Sequence, residues 1–289
     1  MRISKLIASV VTVGATLGGS AASAADLPER SYTKAPPPIA AVYDWTGLYV
    51  GGNVGYGWGQ NTDPSLSFVN PGNIGNVGVF LTAGEFPPRT SSGNLFPNLN
   101  PNGVFGGGQI GYDQQFGAWV LGAVADIQAS DFKASGLVTT PAVATGANLD
   151  ESLTAKIDWF GTVRGKVGFA ANDWLFYGTG GLAYGEAKST IAFGCTPGGI
   201  GCAGIGLAGS ASEIKVGWAA GAGVAKAFGN WNVGVEYLHM DLGRSSVSAS
   251  DILGNLLATT TITESQRFVE DMVRLTVNYK WGAPLVAKY

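Results

Sequence analysis

The residues of this chain that could do chemistry fall into four groups. Gly106-Gly107-Gly108-Gln109-Ile110-Gly111 matches the glycine fingerprint of dinucleotide sites. That fingerprint works only between a strand and a helix N-terminus, where backbone amides and the helix dipole hold a pyrophosphate. Here it sits inside an alternating, strand-like run. No cofactor is expected, and the glycines read as space for bulky neighbours and relief for strand curvature. His239 is the sole histidine, two residues before Asp241. Hydrolysis or acyl transfer wants a nucleophile, a base and an orienting group, and no Gly-x-Ser-x-Gly elbow accompanies it. It reads as a residue near the outer end of a strand, and no catalytic residue or enzyme activity is expected. Cys195 and Cys202 are the only cysteines. Two thiols and one distant imidazole do not make a tetrahedral ligand set, so no metal is expected. In an oxidising compartment the two would close a short disulfide loop.

The fourth group is the informative one. Asp113, Asp126, Asp158, Glu213 and Glu236, with Lys156, Arg164, Lys166, Lys215, Arg274 and Lys280, occupy alternate positions in segments whose other face is apolar. Five acids against six bases nearly cancel. Enclosed in a narrow space they should pair, because an unpaired buried charge costs several kcal/mol. Two outcomes follow: a self-neutralised polar plug, or a charge-lined pore.

The elements that must position these charges are strands. From Asp44 the chain alternates with period two in eight segments, about 44–59, 102–116, 118–131, 154–169, 174–188, 212–228, 231–246 and 268–281. In the fourth, Ile157, Trp159, Val163, Val167 and Phe169 oppose Lys156, Asp158, Thr162, Arg164 and Lys166. In the seventh, Trp231, Val233, Val235 and Tyr237 oppose Asn232, Gly234 and Glu236. In the eighth, Val273, Leu275, Val277, Tyr279 and Trp281 oppose Arg274, Thr276, Asn278 and Lys280. Parity alone suggests Glu236 and Arg274 as a cross-strand pair. The fifth strand is ambiguous, with the Trp174 face favoured as the outer one.

Aromatic residues mark the strand ends. Phe116 and Trp119, Phe169 and Trp174, and Phe228 and Trp231 flank three short turns, with the phenylalanines spaced 53 and 59 residues apart. Rings at the ends of successive strands form the girdle of a transmembrane β-barrel. The expected girdle is Trp45, Trp58, Phe116, Trp119, Phe169, Trp174, Phe228, Trp231 and Trp281. Trp45 breaks the parity of its own strand. The other four connections, about 60–101, 132–153, 189–211 and 247–267, are long, as external loops of such barrels are.

Composition agrees. Charged residues are 13% and glycines 45 of 289, far from a typical soluble domain. Residues 1–24 read as a secretory signal: Arg2 and Lys5, an apolar run from Leu6 to Gly19, then Ala22-Ser23-Ala24. Their removal leaves 15 bases against 20 acids, about −5, with no footprint for nucleic acid. Residues 25–43, with Pro36-Pro37-Pro38, read as an extended leader. Residues 44–281 form the barrel and 282–289 a C-terminal tail. No apolar run after the signal approaches the length of a helical span.

Asp44-Trp45-Thr46-Gly47-Leu48-Tyr49-Val50-Gly51-Gly52-Asn53-Val54-Gly55-Tyr56 resembles the first strand of the alphaproteobacterial porin-family outer-membrane proteins, of the OmpA-like, opacity-protein class. Gly180-Gly181-Leu182-Ala183-Tyr184-Gly185 resembles their central strand. Val235-Glu236-Tyr237 with Asp241-Leu242-Gly243, and Val273-Arg274 with Asn278-Tyr279-Lys280, resemble their last two. The resemblance spans essentially the whole chain after the signal. It implies an all-β fold, an eight-stranded antiparallel up-and-down transmembrane β-barrel in the cell outer membrane. Relatives are surface antigens, structural envelope proteins or small porins. Such barrels end on an aromatic that the assembly machinery reads. Here Trp281 closes the last clear strand, and Tyr289 follows an interruption at Pro284.

The expected function is a structural and cell-surface role: a monomer in outer-membrane lipid, its lumen largely plugged, its long loops free to meet surface ligands. The alternative is a small-solute porin. A soluble carrier barrel would want apolar residues inside and polar ones outside, the reverse of the fourth and eighth strands.

Overall fold

A computed structural model describes residues 43–60, 65–69, 99–141, 148–195, 206–251 and 261–281. The signal, the leader up to residue 42, Cys202, the tail with Tyr289 and most of 60–101 lie outside the described residues. The strands are β1 (Gly47–Gly59), β2 (Ser65–Val69), β3 (Asn102–Phe116), β4 (Trp119–Pro141), β5 (Asn148–Ala171), β6 (Trp174–Cys195), β7 (Gly206–Phe228), β8 (Trp231–Asp251) and β9 (Thr261–Lys280).

All pairings are antiparallel, in the order β1-β3-β4-β5-β6-β7-β8-β9. The ring closes because β1 pairs with β9 as well as with β3. β2 continues the row of β1 along the far end of β9, from Ser65 opposite Ser265 to Val69 opposite Thr261. Eight rows therefore make a closed barrel. Two-residue turns join β3 to β4, β5 to β6, and β7 to β8, each with positive φ at its first residue: Gly117, Asn172 and Gly229. A positive φ at that position matches hairpin twist, and it selects glycine or asparagine.

From the turns upward the outer face is apolar. Val50, Val54, Ile110, Leu121, Ile127, Val163, Val167, Leu182, Val235, Leu275 and Val277 stand exposed. Phe116, Trp119, Phe169, Trp174, Phe228, Trp231 and Trp281 ring the turn end. Trp119 packs edge-on against Phe169, and Tyr279 lies between Trp231 and Trp281. Trp58, Trp218 and Tyr237, with the Trp159–Tyr184 contact, make the second ring. On β6, Trp174 and Tyr184 are ten residues apart, about 33 Å of strand. Tilted, that spans the roughly 25 Å apolar band of an outer-membrane barrel. The Trp174 face of β6 points outward, as favoured above.

The strands do not stop at the second ring. β6 continues eleven residues past Tyr184 to Cys195. β4 reaches Pro141, β5 begins at Asn148, β8 reaches Asp251 and β9 begins at Thr261. Most of the expected loops 132–153, 189–211 and 247–267 are therefore barrel wall. Only 142–147, 196–205 and 252–260 there fall outside the described residues.

Above the second ring the polarity inverts. Phe132, Leu153, Ala155, Ile157, Ala187, Ile191, Phe193, Leu242, Val247 and Phe268 now point inward as one buried cluster. The switch is clearest in β5. Register with β4 and β6 slips around Ile157–Phe160, a β-bulge. Below it, Thr162, Arg164 and Lys166 face inward; above it, Ile157, Ala155 and Leu153 do. The lower barrel is built for lipid outside, and the upper wall is built as a soluble barrel would be.

An outward Val163→Arg substitution, four residues from Trp159 and six from Phe169 and so near the middle of the apolar band, should destabilise the barrel by about 2–4 kcal/mol. Urea unfolding in micelles, followed by the mobility difference between boiled and unboiled protein, measures it.

Candidate functional site

Among the described residues, the barrel interior holds the densest charge. β4, β5, β8 and β9 each contribute one charged side chain at one level. Asp126 lies opposite Thr162, and Glu236 lies directly opposite Arg274. The second register is the pair that parity suggested. Arg164 donates Nη2–H to Asp126 Oδ2 at 2.9 Å and Nη1–H to Glu236. Arg274 donates to both Glu236 oxygens at 3.2 Å and to Asp126 Oδ2 at 3.2 Å. Two acids and two arginines thus bridge each other in a closed ring of four. Thr162 fixes Asp126 with its hydroxyl at 2.8 Å and its backbone N–H at 3.1 Å. The Thr162 hydroxyl in turn accepts Arg164 Nε–H at 2.8 Å. The four charged side chains are 0–5% exposed.

Glycines make room for the next contacts. Tyr177 lies over its register partner Gly223, where a Cβ would stand 2.6 Å from the ring. That posture carries its hydroxyl to Glu236 Oε2 at 3.1 Å. Tyr49 lies over Gly111 in the same way, and its hydroxyl accepts from Lys166 at 3.2 Å. Lys166 also reaches Asp113 at 2.6 Å. The last glycine of the false nucleotide motif is thus a seat for an aromatic ring.

Nearer the turn end, Gln109 donates to Asn278 at 2.6 Å, and Asn278 donates to Asn232 at 2.8 Å. Lys280 bonds the carbonyl of Asp44 and sits over the Tyr43 ring. Tyr43, Trp45, Val120, Leu175, Ala225 and Ala227 close that mouth as an apolar cluster. Toward the far end, Phe132 and Phe160 stack on each other and Phe105 meets both edge-on above the quartet. Between these lids lies a cavity of about 30 Å³ lined by Arg164, Lys166, Glu236, Arg274 and their neighbours, room for about two waters.

Four expected lumen charges are elsewhere. Lys156 and Asp158 precede the bulge in β5, so they face outward and pair with each other; Asp158 also takes Lys188 at 2.7 Å. Glu213 and Lys215 pair with each other in a half-open stretch of β7. There the register with β8 breaks between Ala208 and Trp218, so the stretch is not sealed as the lower lumen is. Trp45 is not a girdle residue. It is 2% exposed, packed on Tyr43, with its backbone N–H bonded to Gln115 at 2.8 Å. Its odd parity was the visible sign. Cys195 ends β6, and Cys202, to which the expected disulfide would run, lies outside the described residues. His239 does lie at the outer ring, on the outside, bonded to Asp271 at 2.8 Å.

Sequence reading missed Glu264 altogether, because it assigned 247–267 to a loop. In the wall above the apolar band it is buried, and neither oxygen has a hydrogen-bond partner among the described residues. Burial, and then the charge of Glu151, push its carboxyl up to about 7.

Two outcomes follow. Breaking the quartet through Glu236→Gln or Arg274→Gln should each cost about 3–5 kcal/mol. The double variant should lose clearly less than their sum in denaturant unfolding; strict additivity would remove the pairing. For Glu264 the folded pKa is raised, so its contribution is full below about pH 4.5 and is lost as pH rises through about 7. Wild type should therefore lose thermal stability between pH 5 and pH 8, and Glu264→Gln should flatten that loss.

Comparison with known proteins bears on what this interior belongs to. Residues 12–263 match the model of the outer membrane protein beta-barrel domain. The 31 kDa outer-membrane immunogenic protein of Brucella melitensis is 34% identical over 250 residues, covering 84% of this chain and 89% of that protein. The 22 kDa outer membrane protein of Rhizobium leguminosarum is 39% identical over 85 residues, 28% of this chain and 33% of that one. Among solved structures, the outer membrane protein OprG of Pseudomonas aeruginosa aligns at 12% identity over 82% of this chain and 98% of its own, with a TM-score of 0.39. Matched along most of its length, and closed into a lipid-belted ring around paired buried charges, the chain belongs to the outer membrane β-barrel protein family and resides in the cell outer membrane.

Proposed function

We propose that this protein is a closed, non-conducting anchor in the outer membrane whose work is done at the cell surface. One observation carries the reading. The Asp126–Arg164–Glu236–Arg274 ring fills the lumen with mutually satisfied charge, between an apolar mouth and a phenylalanine lid. A hydrated ion would have to displace four salt bridges and two apolar layers, and each partner so released is a buried charge costing several kcal/mol. An eight-stranded barrel is just wide enough for side chains to fill.

The surface role rests on the upper wall, whose strands rise past the second aromatic ring and clear of the lipid. The Brucella relatives are immunogenic outer-membrane proteins by name, and an elevated wall of this kind is where antibody or another surface ligand would reach this chain. The reading includes no catalytic activity. It includes a monomer, because a closed ring leaves no strand edge unsatisfied in the membrane. Insertion would run through the barrel assembly machinery, with Trp281 or Tyr289 as the aromatic that is read.

The second reading is a small-solute channel, favoured by the polar cavity of about 30 Å³ at the centre of the lumen. Planar-bilayer recordings of the refolded protein separate the two. The anchor predicts silence from a correctly folded barrel, with steps emerging when Arg164 and Glu236 are both made small and neutral. Discrete steps from wild type, with selectivity altered by those changes, would replace the anchor with the channel.

A further inference from the structure

Immediately above the second aromatic ring, the outer face of the barrel carries charge in two tiers. On each of five strands an acid stands nearer the apolar band and a base farther from it. The pairs are Asp131 and Lys133 on β4, Asp158 and Lys156 on β5, Glu186 and Lys188 on β6, Asp241 and Arg244 on β8, and Asp271 and Arg267 on β9. The basic tier is not staggered. Lys133 is the register partner of Lys156, and Lys156 of Lys188. Arg244 is the register partner of Arg267.

Neighbouring strands are about 4.8 Å apart, and like charges directly opposite destabilise a sheet. The acids relieve only part of this. Asp158 serves Lys156 and Lys188, Glu186 reaches Lys188 at 3.3 Å, and Asp241 takes Arg267. Lys133 and Arg244 are exposed and have no ion-pair partner among the described residues. Rows of cations three across and two across, each with a spare donor, are shaped for an anion that several bases can share.

Their height says which anion. Lys156 is three residues above Trp159 of the outer ring, about 10 Å of strand. That is headgroup level, continuous with the lipid-facing surface below it. We propose that this collar is a binding surface for the phosphates of an outer-leaflet glycolipid, with Lys133, Lys156 and Lys188 forming one phosphate cradle and Arg244 with Arg267 a second. Basic residues within a Debye length of an anionic headgroup each add attraction. The ammonium and guanidinium heads can also donate several hydrogen bonds to one phosphate. The acidic tier below keeps the wall close to neutral.

The test uses the refolded full chain in zwitterionic detergent micelles, titrated with bisphosphorylated lipid A or with its dephosphorylated form. Native mass spectrometry reads retained lipid, and the shift between boiled and unboiled protein confirms folding. Wild type should retain the phosphorylated lipid in preference. The triple variant Lys133→Gln, Lys156→Gln, Lys188→Gln should bind it at least about tenfold more weakly, and the same three positions changed to Arg should keep it. If the glutamine triple does not fold, the pair Arg244→Gln, Arg267→Gln carries the same test. Equal retention of both lipids, undiminished binding by the folded glutamine variants, or capture of soluble phosphorylated sugar with no capture of lipid A would each overturn the proposal.

Discussion

Hydrocarbon offers no partner to a backbone amide, and this one constraint organises the molecule. Every N–H and C=O in the apolar band must be paired within the protein, so the sheet has to close. It closes where β1 meets β9 in eleven registered pairs. Closure then forces the rest. Side chains alternate between lipid and lumen, lipid rejects charge, and polar residues accumulate in a bore only a few side chains wide. The quartet of Asp126, Arg164, Glu236 and Arg274 is what that crowding becomes when each charge must find an opposite. Because Arg164 and Arg274 each reach both acids, β4, β5, β8 and β9 are tied across the bore, which adds rigidity to a ring already closed by its backbone.

The same chain meets a second solvent above the lipid and obeys it with the opposite pattern. Water outside permits lysine, arginine and aspartate on the outer face, and the hydrophobic effect then drives Phe132, Ile157, Ile191 and Phe268 inward. The phenylalanine trio of Phe105, Phe132 and Phe160 lies at the junction. It is the upper end of the polar lumen and the lower end of the apolar core at once.

How much of this could be read in advance depended on phase. Where a strand keeps one phase throughout the band, as β8 and β9 do, alternation placed Glu236 and Arg274 on one face, and the register of β8 with β9 sets them opposite each other. The three turns were legible because Gly117, Asn172 and Gly229 supply a backbone conformation that few residues tolerate. The upper wall was not legible. Its strands are rich in Gly, Ser, Thr and Ala, and many of their inward positions are apolar, the reverse of what the lower strands teach a reader to expect. Lys156 and Asp158 were misplaced for that reason, since a period-two reading carried through Trp159 assumes that no residue is added there. Glu213 and Lys215 have the inward parity that was expected, but the break between β7 and β8 leaves them open to solvent. Trp45 folded into the mouth because Tyr43 and Leu175 offer it an apolar seat.

The bulge in β5 has a consequence for how such a barrel can vary in length. Elsewhere a strand can gain or lose residues in twos and leave every side chain on its own side. Across Asp158 and Trp159 the count is odd by construction, so the two halves of β5 are written in opposite reading phases. A single deletion there would bring the two halves into one phase, shortening the wall by a residue and leaving Ile157, Ala155 and Leu153 inward. The same deletion in the regular run between Phe160 and Lys166 would turn one half of the strand inside out. Drift by single residues is thus confined to the connections and to this bulge, where the length of β5 can change by one while every side chain keeps its side.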